Sequence, residues 1–369
     1  MAMVKFGNIV RDVKINVDRS NNPYKHYVAG DHMDSEDLTI HRHGDFATDD
    51  VGPAFTRIFK PGQILYGSRR TYLKKIAVAD FSGICANTTF VLESKNETVF
   101  LTRLLPFIML SESFTRWSIA HSKGSTNPYV LFSDLADYEF DLPPIEEQRM
   151  LADKLWAAYR LRDSYKKLLT ATQEMVKSQF IEMFTDKGYP LTMIKSFADV
   201  STGGTPSKAH PEYWNGDKPW VSAEDMKSKY VYDTCEKVTE AGYATCKIIP
   251  VDTLMYVCRG SIGVMAINKI ECATNQSICR ATCHNNVCNV EFLYHALMYQ
   301  RDNIKKKGTG TSFKSLNQTT FSELEIELPP HDEQMKFVTI AEQADKSEFE
   351  LRKSIEAIDQ VIKSLINNK

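Results

Sequence analysis

The sequence predicts an α+β fold: two β-rich domains in tandem, separated by two long α-helices that form an antiparallel coiled coil, the halves related as a pseudo-twofold repeat. Three observations predict it. The heptapeptide LPPIEEQ at 142–148 returns as LPPHDEQ at 328–334. Around it, SKGSTNPYVLFSDLADYEFDLPPIEEQRMLADKLW lies over GTGTSFKSLNQTTFSELEIELPPHDEQMKFVTIAE without a gap, which makes the chain two similar halves. Each copy then runs into a long polar segment with apolar residues in alternating steps of four and three.

Each half has the same order of elements. A β-rich region comes first, with short Val, Ile, Tyr and Phe runs broken by Gly, Pro and Asn-Asp turns. An apolar helix follows, FLTRLLPFIMLSESFTRW in one half and EFLYHALMYQRDNIKKK in the other. Next come a Gly-Ser/Thr loop and a strand ending in LPP. The second proline, Pro144 or Pro330, suits the first turn of a helix, where no N–H is needed. Glu146, Glu147, Asp332 and Glu333 then face the positive end of that helix's dipole. In the first long helix Leu151, Leu155, Ala158, Arg162, Tyr165, Leu169, Thr172, Val176 and Gln179 form the seam; in the second, Leu351, Ile355, Ile358, Ile362 and Leu365 do. Helices of about 40 residues reach about 60 Å, too long to bury on one small domain, so each is expected to pair with the other.

Composition sets outer bounds. With 43% hydrophobic residues, 25% charged and a net charge of -2, this is a globular chain with enough length for two cores. No stretch approaches the roughly 20 apolar residues that span a bilayer, and MAMVKFGNIVRDV has no apolar core of a signal peptide, so a cytoplasmic protein without a membrane partner is expected. Near-neutral charge excludes a wholesale basic protein but leaves room for local basic stripes. Of the eight cysteines seven lie between Cys235 and Cys288. Cys279, Cys283, His284 and Cys288 lack the CxxC spacing of a zinc knuckle and are read as reduced thiols packed as small apolar residues, with no metal.

Taken together, STGGTPSKAHPEYWNGDKPWVSAEDM at 201–226, the two LPPxxEQ joints with their helices, SRRTYLKKIAVADFSGICANTTF and SIGVMAINKIECATNQ resemble the specificity subunit of a type I restriction-modification system. The resemblance covers essentially the whole chain. It implies a non-catalytic DNA reader with two target recognition domains, each reading half of a bipartite, asymmetric target in double-stranded DNA, held apart by spacer helices. It also implies docking of two methyltransferase subunits and of restriction subunits. S-adenosylmethionine, ATP and Mg belong to those partners, and this chain binds no cofactor. On this template the first recognition domain is 1–143, the central spacer helix 144–187, the second domain 188–329 and the C-terminal spacer helix 330–369. The first domain lacks the GGTP…PW segment of the second, so the two are expected to read different sequences. Consistent with a reader, no methyltransferase tetrapeptide, Walker loop, HExxH or nuclease cluster stands out. Two rivals keep much of the pattern: the specificity subunit of a related two-subunit restriction enzyme, and a coiled-coil scaffold whose β domains bind protein.

Reading bases takes Arg or Lys for guanine and Asn or Gln for adenine, while phosphates take cations, hydroxyls and backbone N–H groups. The densest match in the first domain is Ser68, Arg69, Arg70, Tyr72, Lys74 and Lys75, with Asn87 after them; Arg259, Ser261, Asn275 and Gln276 correspond in the second. The loop before each last strand is a second candidate, with Lys123, Ser125, Thr126 and Asn127 in one copy and Lys307, Thr309, Thr311, Ser312 and Lys314 in the other. Ser207 and Lys208 after GGTP form a third. Tyr213, Trp214 and Trp220 are read as packing residues rather than base-stacking ones.

Overall fold

The computed structural model describes residues 2–18, 21–307 and 316–367. It divides into two compact units, Met1–Lys167 with Arg352–Lys369, and Leu168–Leu351.

In the first unit a four-stranded sheet runs in the order Val10–Asp12, Thr89–Ser94, Ile64–Gly67, Ile76–Val78, and a second in the order Gly44–Asp45, His26–Val28, Gly83–Ala86, Phe55–Phe59. All pairings are antiparallel except that of His26–Val28 with Gly83–Ala86. Ile64, Tyr66, Leu92 and Phe90 turn into the main core, which Phe6, Phe100, Phe107 and Phe114 fill from the helical side. A separate ribbon pairs Ala2–Lys5 with Glu139–Leu142. The predicted single helix at 100–117 is broken: Leu105–Leu110 and Glu112–Ala120 are two helices. Ser111 between them is extended (φ -61°, ψ 152°), and its hydroxyl accepts the Phe114 N–H at 3.2 Å. Such an N-cap starts a new helix rather than continuing the old one.

The second unit repeats this plan with changes. Its main sheet has five strands, Ala198–Thr202, Ile278–Cys283, Leu254–Val257, Met265–Asn268 and Tyr230–Val231. Its smaller sheet runs Glu236–Val238, Trp214–Val221, Ala273–Thr274, again with one parallel pair, Trp220 and Val221 opposite Ala273 and Thr274. A ribbon pairs Leu191–Met193 with Glu325–Glu327, and one helix, Val290–Lys307, takes the place of the broken one.

Each ribbon leads into a proline pair and a long helix, Ile145–Phe184 or His331–Asn367. The carbonyls of Pro144 and Pro330 accept the N–H groups of Gln148 and Gln334 at 3.0 and 3.1 Å. The prolines therefore precede the helices as cap residues, one position earlier than a first-turn proline. The glutamines explain why the heptapeptide ends as it does. Both are fully buried. Gln148 accepts the Leu101 N–H at 3.1 Å and donates to the carbonyls of Val99 and Pro143, each at 2.9 Å. Gln334 accepts the Asn289 N–H at 2.9 Å and donates to Val287 and Pro329, each at 2.9 Å. A primary amide carries the donors and the acceptor that this site needs.

The two helices run antiparallel within each unit. In the first, Leu151 and Leu155 meet Leu365 and Ile366, while Arg162 pairs with Asp359 at 3.1 Å and stacks over Tyr159. In the second, Gln173 donates to Glu348 at 3.0 Å, and Phe180 and Phe184 pack on Phe337 and Phe292. No predicted seam residue is exposed. The aromatic quartet is a concentrated anchor, since truncating one buried phenylalanine to alanine costs about 3–5 kcal/mol. No helix among the described residues is long and apolar enough to cross a membrane.

Candidate nucleic-acid interface

In the first unit the end of the strand Ile64–Gly67 positions the first candidate cluster. Ser68 is buried, its N–H and hydroxyl both bonded to the Thr88 carbonyl at 3.1 and 2.5 Å. Arg69 and Arg70 emerge beyond it and are exposed. The second cluster arrives from elsewhere in sequence. Lys123 and Tyr129 exchange backbone hydrogen bonds at 2.7 and 2.9 Å, closing a loop over Gly124–Pro128 whose tight turn uses Gly124 at φ +88°. Val130 N–H then bonds to the Ser68 carbonyl at 2.9 Å, and Arg70 N–H to the Pro128 carbonyl at 2.7 Å. The structure thus brings Arg69, Arg70, Lys123, Ser125, Thr126 and Asn127 onto one surface.

Arg70 sits in the left-handed region at φ 50° and ψ 56°. A side chain there costs roughly 1–2 kcal/mol. Its Nε donates to Asn127 Oδ1 at 3.2 Å, which leaves the other guanidinium donors unused by that amide. Arg69 has no side-chain partner among the described residues. Tyr72 is 54% exposed, beside them in the turn Thr71–Leu73, and Asn87 is exposed near Thr88. Lys74 and Lys75 are occupied within the fold: Lys74 pairs with Glu36 at 2.6 Å, and Lys75 donates to the Gly30 carbonyl. Lys123 pairs with Asp134 at 2.9 Å, and that ammonium helps hold the Asp134 carboxyl below its ordinary range against the opposing effect of desolvation.

The second unit builds the same junction from different residues. Cys258 N–H bonds to the Ser277 carbonyl at 2.8 Å and Leu316 N–H to the Cys258 carbonyl at 2.9 Å, the counterparts of the Ser68 bonds. Arg259 is exposed in the place of Arg69, and Gly260, at φ +77°, stands where Arg70 stands in the first. Ser261 is exposed. Asn275 is committed locally, its Oδ1 accepting from the Ser277 N–H and hydroxyl at 3.0 and 2.7 Å. Gln276 accepts from the Thr205 hydroxyl, which ties the GGTP segment to this turn. Gly203 permits that approach: a Cβ there would lie 2.1 Å from the Thr274 carbonyl oxygen. Ser207 is exposed and its hydroxyl accepts the Ala209 N–H at 3.3 Å, while Lys208 lies over the Trp214 ring at 5.4 Å. Trp220 is buried, packs edge-on against half-buried Trp214 and donates to the Gly204 carbonyl at 3.1 Å; Tyr213 is half-buried. Thr309, Thr311, Ser312 and Lys314 lie outside the described residues, as does the side chain of Lys307.

The eight cysteines are free thiols. Cys258 and Cys279 are both buried, and the Cys279 thiol helps push that of Cys258 far up. Among the described residues no three His, Cys, Asp or Glu side chains group as metal ligands.

The family model described as type I restriction modification DNA specificity domain matches twice, at residues 21–171 and 188–360. Three similar proteins carry related names. The type I restriction enzyme MjaIX specificity subunit of Methanocaldococcus jannaschii is 29% identical over 189 residues, 49% of this chain and 44% of that one. The HindI specificity subunit of Haemophilus influenzae is 22% identical, with 85% of this chain and 87% of that one covered. The EcoR124I/EcoR124II specificity subunit of Escherichia coli is 32% identical over 152 residues, 39% and 37% of the two chains. The first and third matches therefore span less than half of those relatives' length. Among solved structures, the type I restriction-modification S subunit from M. genitalium aligns over 99% of this chain and 94% of its own, with TM-score 0.66 and 14% identity. A chain from work on complex assembly and conformational transition of the type I R-M system aligns over 99% and 96%, with TM-score 0.56 and 17% identity. At such identities the likeness is one of fold.

Proposed function

Because the chain belongs to the type I restriction modification DNA specificity family, we propose that it reads a bipartite, asymmetric DNA target, one half-site per recognition domain, for a complex whose other subunits perform the chemistry. The boundaries we assign are 1–143 and 188–329 for the domains and 144–187 and 330–369 for the spacer helices. The observation that carries this reading is the meeting of Arg69 and Arg70 with the Lys123–Asn127 loop through Val130 N–H and the Ser68 carbonyl, matched by Leu316 and Cys258 beside Arg259. Two sequence-distant segments with cations, hydroxyls and an amide meet on one surface, the composition that clamps phosphates and reads base edges. The Arg70 backbone adds a second argument, for its counterpart in the other half is the unstrained Gly260. An arginine kept where glycine costs less points to a use for its guanidinium.

The role is recognition, not catalysis. Arg69, Arg70, Asn127, Arg259 and Gln276 lead the base-reading candidates, and Ser125, Thr126 and Lys123 those for phosphate. Half-sites one helical turn apart are separated by about 34 Å, which calls for a stiff strut between readers. We assign the partners as two methyltransferase subunits, which use S-adenosylmethionine, and restriction subunits, which use ATP and Mg, all in the cytoplasm. Leu168 and Met175, seven residues apart on the central helix and 52% and 42% exposed, are the face we assign to a methyltransferase subunit. Methylome sequencing of cells that carry this subunit with its partners tests the reading. A two-part motif with unlike halves is expected; a contiguous palindrome overturns it.

A further inference from the structure

Each long helix is fastened to its own domain by a part-buried phenol-carboxylate pair, and the two pairs are reversed. On the central helix Tyr159, 5% exposed, donates to Asp37 Oδ1 at 2.5 Å, accepts the Leu38 N–H at 2.7 Å and lies 3.2 Å from Thr39 Oγ1. The repeat-equivalent residue of the C-terminal helix is Asp345, separated from Tyr159 by the same 186 positions that separate Gln148 from Gln334. Asp345 Oδ2 accepts from the Tyr230 hydroxyl and from Lys229 Nζ, both at 2.7 Å. The segments they grip occupy matching places. Leu38 carbonyl accepts the Val78 N–H at 2.8 Å beside the strand Ile76–Val78, and Lys229 carbonyl accepts the Ile267 N–H at 2.8 Å beside Met265–Asn268.

Phenol and carboxylate have therefore changed sides while the contact has stayed in place. Packing alone does not call for that, because even part burial of a carboxylate carries a desolvation cost that an apolar pair of similar volume avoids. Hydrogen bonds contribute what apolar contacts lack, a preferred direction. In the second unit the geometry is fixed further, since Lys229, 13% exposed, also pairs with Glu291 at 2.8 Å and faces His295 Nε2 at 3.2 Å. We propose that Tyr159 with Asp37 and Asp345 with Tyr230 are positioning residues that set the angle at which each recognition domain is held on its own helix, and thereby the half-site separation the protein accepts. This rests on the bipartite-reader assignment above.

The test uses the full chain assembled with its methyltransferase subunits, once methylome sequencing has given the motif. Methylation is measured on duplexes with the native spacer and with one base pair added or removed, for wild type, Tyr159→Phe and Tyr230→Phe. Phenylalanine keeps the ring and its packing, and removes only the hydroxyl. The preference for native spacing is expected to fall at least tenfold in each variant, with unchanged half-site bases. Full preference in both variants overturns the proposal, and so does an equal loss of methylation at all spacings, which is the signature of a merely structural bond. Should Tyr159→Phe fail to fold, Asp37→Asn, which removes the charge from the domain side, is read the same way. A wild-type complex with no bipartite motif sinks the underlying assignment, an outcome seen before any variant is made.

Discussion

Arg70 and Asn127 are joined by a hydrogen bond of 3.2 Å across 57 residues of sequence, and that bond makes one surface of two candidate clusters. Replacing Arg70 with glycine separates its two properties. The left-handed backbone becomes unstrained, so the variant should fold at least as stably as wild type. Binding to DNA should weaken about 10-fold or more at one half-site while the other keeps its selectivity, as expected for a contact of about 1–3 kcal/mol. Fluorescence anisotropy on duplexes mutated in either half-site reads this directly. Equal affinity in variant and wild type would remove Arg70 from the interface.

The buried amides at 148 and 334 give a prediction about stability. Gln148→Leu keeps an extended side chain but leaves the Leu101 N–H and the Val99 and Pro143 carbonyls without the partner they have now. Each unsatisfied buried group costs about 1–3 kcal/mol, so a loss of about 3 kcal/mol or more is expected in urea unfolding. Gln334→Leu should do the same to the second unit. A loss under 1 kcal/mol in both would show that the amide is not the fastening of the joint.

Acid should weaken the second unit first through His295. Burial, and then the Lys229 ammonium beside it, push its imidazole down to about 3. The unfolded chain takes up this proton below about pH 6.5 while the folded chain refuses it, so stability is retained above that value and lost progressively as pH falls toward 3. By pH 5 the loss is about 2 kcal/mol. The groups that face the ring are Tyr294 and Tyr299 of its own helix and, from neighbouring elements, Lys229 and Phe337, with Glu291 and Asp345 on the far side of Lys229. Urea unfolding from pH 7.5 to 5 should show a smaller pH slope for His295→Gln than for wild type; identical slopes would place the proton elsewhere.

Helix length gives a further prediction. Seven residues, one heptad, added to each long helix between its seam positions preserve the seam's rhythm. Methylome sequencing should then report a longer spacer between two unchanged half-site sequences. An unchanged spacer would show that the helices do not set it.

How far the sequence announces all this depends on how local each signal is. The repeat was legible because LPPIEEQ and LPPHDEQ sit in register with their flanks, and the seam because Leu155, Val176 and Ile362 keep helical spacing and are buried. The reason for the final glutamine was not, since its partners Val99 and Val287 lie 49 and 47 residues away. Apolar periodicity ran through Ser111, but the hydroxyl's bond to Phe114 N–H divides the helix there. Residue type marks both loops of the candidate surface, yet nothing local says that Arg70 would reach Asn127 or that Lys74 would be engaged by Glu36. The Tyr159 and Asp345 contacts are hidden for the same reason, their partners lying 122 and 115 residues away. Their one sequence trace is that they occupy equivalent places in the repeat.

The ribbon Ala2–Lys5 with Glu139–Leu142 puts the chain's arrival in the first domain beside its departure, as Leu191–Met193 with Glu325–Glu327 does in the second. A fold whose two ends share a doorway is a cassette. Changes inside it are expected to leave the helix outside with the same start and direction, because the ribbon and the proline joint that follows it fix both.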